Sequence, residues 1–167
     1  MGDAATGAIA KPRLGGILGI LFWIAVLIVT AVVCIGVANI YLGGIAGLVW
    51  GVRDMVSRAI AAESTADLAL RVVLIPMTLL FIWAACMVAF TLARSRMGPA
   101  IISAAFALWV LGTTFASRTV YAGSGDFLIE LVGLLPRLVT DAIIILAFAG
   151  YMFDGARPKR IYGAGAS

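Results

Sequence analysis

Positions 14 to 52 hold no charged residue, and that single run restricts this chain more than any other feature. About 20 apolar residues suffice to cross a bilayer once, so the run is long enough for a tilted span with residues to spare. Water would leave such a segment without a polar face, and the rest of the chain cannot supply one. Hydrophobic residues make up 63% of the 167 positions and charged residues 12%, with a mean hydropathy of +1.14, too little polar surface to wrap a water-soluble core. In hydrocarbon every backbone donor and acceptor must be satisfied within the protein, which selects helices for apolar runs of this length. The fold class that follows is all-α: a polytopic membrane protein, one compact four-helix transmembrane bundle with an amphipathic interfacial segment between the first two spans.

The spans are placed by charge and by helix-breaking residues. Residues 1–13, rich in Ala and Gly, form a tail that ends in Lys11-Pro-Arg13. That basic flank before an apolar stretch has the form of a signal peptide, but the uncharged run far exceeds a signal core, so a retained first helix over about 14–40 is expected. Residues 41–67 form the next connection. Within it Gly43, Gly47 and Gly51 recur every four residues, a spacing that stacks small residues on one helix face for close packing, or that serves a looser, re-entrant exit in which glycine makes turns. Further on, Leu48, Val52, Met55, Val56 and Ala59 share one helical face and Arg53, Asp54, Ser57 and Arg58 the other, the pattern of a helix lying on a membrane surface. Ser64 to Asp67 has the form of a helix start, with Asp67 a candidate cap or first-turn carboxylate for a second span over about 68–92, which Pro76 should kink. Met97-Gly98-Pro99 makes a tight turn into a third span over about 99–115. Gly123-Ser-Gly125 lies in a turn-rich loop, and the last span, about 132–153, is bent by Pro136. Residues 154–167 form a basic tail.

Orientation follows from the flanking cations. Lys11, Arg13, Arg94, Arg96, Arg157, Lys159 and Arg160 lie on one side with Asp3 and Asp154, whereas the other side mixes Arg53, Arg58, Arg71 and Arg118 with Asp54, Glu63, Asp67 and Asp126. Both termini are therefore expected in the cytoplasm. The same cations attract anionic headgroups at about 1 kcal/mol each, although topology alone accounts for them. A net charge of +4 arranged in this way does not point to nucleic acid.

Residue types narrow the chemistry further. The chain has no histidine, which removes the commonest general base and metal ligand. Cys34 and Cys86 both sit inside apolar runs, where a thiol packs as a small hydrophobe. Gly-Ser-Gly at 123–125 has the small-residue frame of a serine nucleophile, but no histidine accompanies it and a turn explains it. No nucleophile, base and metal set assembles, so an enzyme is not expected, nor is a cofactor.

The informative constellation is Glu130, Arg137 and Asp141. Helical geometry brings the three to within about 20° of one stripe, and Asp141 would lie about 18 Å from the inner end of its helix. A charge at that depth costs at least roughly 2.5–3.5 kcal/mol. It needs a partner, a wet cavity or a proton. Arg137, four residues away, is the nearest counter-ion, either in a pair that fixes bundle register or in a site for protons, ions or anionic ligands in which Asp141 titrates. A third use is pairing with another membrane subunit.

The C-terminal sequence Tyr151-Met-Phe-Asp-Gly-Ala-Arg157-Pro-Lys159-Arg-Ile-Tyr162 resembles the ending of the domain of unknown function 2569 family, with its helix-exit tyrosine and Arg-x-Lys-x-x-aromatic spacing. Arg137 matches an arginine of that family's last helix, and Leu14-Gly-Gly is similar to the glycine pair opening its first span. Ile17 and Met152 stand where the family has a tryptophan and an aromatic residue. The resemblance implies a four-span protein of the bacterial inner membrane and supplies no activity. The expectation is thus a non-catalytic accessory or assembly subunit whose partners are the lipid bilayer and other integral membrane subunits, or a second copy of itself. The alternative is a small transporter or proton-coupled channel using Asp141 and Arg137.

Overall fold

The computed structural model describes residues 14–61, 63–121 and 127–163, with side chains at 14–61, 63–118 and 132–163. The expected N-terminal tail, with Lys11 and Arg13, lies outside them. The described residues are helical without strands: α1 (Gly16–Ala61), α2 (Thr65–Ala93), α3 (Gly98–Tyr121), α4 (Phe127–Asp154) and α5 (Ala156–Gly163). Four helical segments are long and apolar enough to cross a membrane, Gly16–Ala61, Thr65–Ala93, Gly98–Arg118 and Val132–Asp154. By length and composition they suggest a multi-pass membrane protein.

Helix ends form where local chemistry provides for them. Ser64 caps α2, accepting from the backbone N–H of Asp67 at 3.2 Å and donating its hydroxyl to the Asp67 carboxylate at 2.6 Å, a reciprocal arrangement that satisfies a first-turn donor. Of the two expected roles, Asp67 takes that of first-turn carboxylate, and Ser64 is the cap. Arg94 ends α2 in the left-handed conformation (φ 47°, ψ 38°), its N–H closing on the Phe90 carbonyl. Gly98 opens α3 and follows with Pro99, whose missing N–H costs nothing in a first turn.

The first helix departs from expectation. Helical backbone continues past residue 40 to Ala61, broken at Gly44, where φ is 69° and ψ 174°. That conformation is open to glycine and strained for any other residue. The chain therefore makes one long helical stretch before Gly44 and a second, shorter one after it.

Packing follows chain order: α1 on α2, α2 on α3, α3 on α4, with α5 folded back against α4 and α3. The core gathers where α1 begins, α2 ends and α3 starts, an end termed here the terminal end. Leu18 and Phe22 of α1, Met87 of α2, Ile102 of α3, Met152 of α4 and Ile161 and Tyr162 of α5 are buried together. An aromatic layer continues it, with Trp83 beside Phe106 and Phe148 stacked on Phe106 at 4.1 Å between centroids.

The expected basic tail from residue 154 is corrected over 156–163, which fold as α5. Its Pro158, Ile161 and Tyr162 are buried while Lys159 and Arg160 face outward and Arg157, also exposed, reaches across to the start of α1. Three apolar residues at helical spacing among three cations read as a charged tail by composition, yet they supply one packing face.

Candidate functional site

A buried polar contact joins α3 to α4. Thr114 and Asp141 are 1% and 7% exposed, and the Thr114 hydroxyl donates to Oδ2 of Asp141. Arg137, one turn before Asp141, donates its Nε–H to the same Thr114 oxygen at 3.1 Å. Because a guanidinium has no acceptor, only one direction is open: Arg137 donates to Thr114, and Thr114 donates to Asp141. Each bond polarises the next in a medium of low dielectric. Ser117 steadies the turn by donating to the Thr114 carbonyl at 2.9 Å.

This is where the structure differs from the simplest reading of α4. Among the described residues Arg137 and Asp141 form no direct ion pair; the hydroxyl of Thr114 stands between them. A stripe on one helix reveals which side chains share a face, but not which group the neighbouring helix presents to them. The side chain of Glu130 lies outside the described residues. Arg137 itself is exposed on α4, a helix of which only α3 and α5 cover a substantial part.

The glycine stripe is also revised. Gly43, Gly47 and Gly51 have open space around them, with nothing within 4 Å of a β-carbon built at each. The break at Gly44 separates Gly43 from the other two, so the four-residue stack is interrupted, and among the described residues no helix packs on it. Close approach within the chain occurs instead at Gly112, where a β-carbon would collide with Leu79 of α2, and at Gly98, where it would meet the Tyr162 ring at 2.8 Å.

The cations have individual places. The Arg157 guanidinium crosses the start of α1, lying 2.5 Å from where a β-carbon of Gly16 would stand and 2.9 Å from that of Gly15. Lys159 pairs with Asp154 at 3.2 Å on the exposed surface, and Arg94 forms the left-handed end of α2. Arg96 lies in the same turn and Arg160 on the outer face of α5.

Three functional contacts involve residues that periodicity did not single out. Thr114 is one of several threonines in apolar helices and has no distinguishing sequence signal. The Tyr162 hydroxyl meets Thr91 at 2.7 Å in the core, and burial pushes its phenol pKa upward against the opposing effect of that hydrogen bond. Arg71 donates from Nε to the Ala59 carbonyl and from Nη2 to the Ile60 carbonyl, both at 2.7 Å. It thereby satisfies open carbonyls at the C-terminus of α1 and complements that end's negative dipole. Beside it, Arg58 reaches Asp67 at 2.9 Å.

Among the described residues no group of three or more His, Cys, Asp or Glu side chains is placed to hold a metal ion. The chain matches no protein-family model, no curated protein and no solved structure.

Proposed function

We propose that the protein is a non-catalytic integral membrane component, an accessory or assembly subunit of a larger complex in the bacterial inner membrane, with both termini cytoplasmic. The observation carrying this reading is Arg137. The residue is exposed on a spanning helix and, among the described residues, its guanidinium engages only a threonine hydroxyl. A cation so placed in hydrocarbon is costly without an acceptor, and a neighbouring subunit's helix can supply one. The open glycine face at Gly47 and Gly51 suits a second contact of the same kind. In this reading residues 45–61 lie along the outer membrane surface, Arg53, Asp54 and Ser57 toward the headgroups, tied back to α2 by Arg58 and Arg71. The resemblance to the domain of unknown function 2569 family fits the same location.

A second reading, a small transporter or proton-coupled channel, draws on the buried carboxylate of Asp141 and its hydroxyl partner. Asp141→Asn separates the two. An assembly subunit loses abundance or co-purifying membrane proteins, measured by mass spectrometry after gentle detergent extraction. A transporter keeps both and loses flux in reconstituted vesicles. Unchanged abundance, partners and flux would remove both roles from this residue.

A further inference from the structure

At the end opposite the terminal core, the closing turns of α1 stand off from α2 and α3 and leave an open cleft of about 600 Å³. Val56, Ile60, Leu74, Ile75, Leu79 and Phe115 give it a largely apolar wall, and Arg71 supplies its cationic group. Of the five N–H donors of that guanidinium, the two bonds to the α1 carbonyls leave three with no acceptor among the described residues. Arg71 lies six residues into α2, about 9 Å from the helix start, a depth at which headgroup and acyl region meet.

We propose that this cleft binds one phospholipid, an acyl chain filling the apolar wall and its phosphodiester accepting from Arg71. One turn of α-helix, about 10 Å wide with a 5.4 Å rise, fills roughly 400 Å³, so a cleft of about 600 Å³ suits a slender occupant better than a helix. Away from Arg71 and Thr78 the lining is apolar and gives bound water few of the two to four polar partners it needs. An acyl chain is slender and apolar. The phosphodiester offers two anionic oxygens to a planar guanidinium, the geometry in which arginine binds best. Arg71 thus joins three groups at once: the end of α1, the body of α2 and the lipid.

The test uses the full chain reconstituted in phosphatidylethanolamine and phosphatidylglycerol vesicles, re-extracted in mild detergent and weighed by native mass spectrometry. The wild type should carry one phospholipid. Ile75→Trp, which fills the cleft, should lower that occupancy roughly tenfold, equivalent to about 1.4 kcal/mol. Ile75→Ala, which widens it, should retain the lipid, as should Val33→Trp on the exposed face of α1. Equal occupancy in Ile75→Trp and wild type would overturn the site, as would loss in Val33→Trp or Ile75→Ala. A fatty acid, or a protein subunit, displaced by Ile75→Trp in place of a phospholipid would overturn the assigned ligand.

Discussion

The two ends of the helix array are built on different principles. At the terminal end all five helices contribute buried side chains, from Leu18 through Met87, Ile102 and Met152 to Tyr162. At the far end α1 swings clear, with Val32, Val33, Ile35, Val37, Ile45 and Val49 all exposed, and it is tied back chiefly by polar contacts, Arg58 with Asp67 and Arg71 with two carbonyls. Packing fixes one end and hydrogen bonding holds the other. In lipid, where apolar surface gains little by leaving its solvent, tight packing and hydrogen bonds are what hold helices together. An end lacking the first is therefore open to lipid or to another protein.

Truncating a core side chain should break the contrast most clearly. Met87→Ala removes a fully buried side chain and should cost about 2 kcal/mol of stability, chiefly from the cavity left behind. Ile35→Ala, 62% exposed before the change, should leave stability within experimental scatter. Unfolding of both variants in detergent checks the pair, and equal losses would show that α1 is packed along its whole length.

A smaller effect is expected at the α5 anchor. Tyr162→Phe removes the bond to Thr91 and leaves that buried hydroxyl only its long contact to the Met87 sulfur at 4.0 Å, for a loss of about 1 kcal/mol. Because burial raises the folded phenol pKa above its ordinary value of 10.0, the folded state favours the neutral form. The phenol's contribution is complete below pH 10 and falls as pH rises through the folded-state pKa. Wild-type stability should thus drop at alkaline pH by a component missing in Tyr162→Phe, read from paired unfolding curves across that range.

The smallest change is expected from Arg58→Ala. The Arg58 side of its pair with Asp67 is 53% exposed, which screens the attraction, and the two Arg71 bonds to the α1 carbonyls remain to hold the same end. Unfolding in detergent should not move measurably. A clear loss would mean that the far end depends on this contact as strongly as the terminal end depends on its core.

Much of the architecture is legible in the sequence. The number of long helices, the turn at Gly98 and Pro99, the start of α2 near Asp67 and the shared stripe of Arg137 and Asp141 all follow from spacing and residue type. Periodicity also predicted helix across 48–63, and the chain is helical there through Ala61. It did not reveal that helix continues from the first span up to a single break at Gly44, because one left-handed glycine among four near neighbours carries no distinguishing mark. The candidate site was half visible: Asp141 and Arg137 could be named, whereas Thr114 is 23 residues from Arg137 in sequence and met only through packing.

Composition and periodicity determined that this chain forms long apolar helices and that a few ionisable groups lie within them, since hydrocarbon demands internally bonded backbone and penalises every charge. They also marked the start of α2 near Ser64 and Asp67 and the turn into α3 at Gly98 and Pro99, because caps and breakers act over a few neighbouring residues. Only the tertiary structure decided that Thr114 stands between Arg137 and Asp141, that Tyr162 closes on Thr91 and Gly98, and that Gly47 and Gly51 face open space. Those outcomes depend on which faces of separate helices meet, and that choice belongs to side-chain shapes distributed across the whole chain.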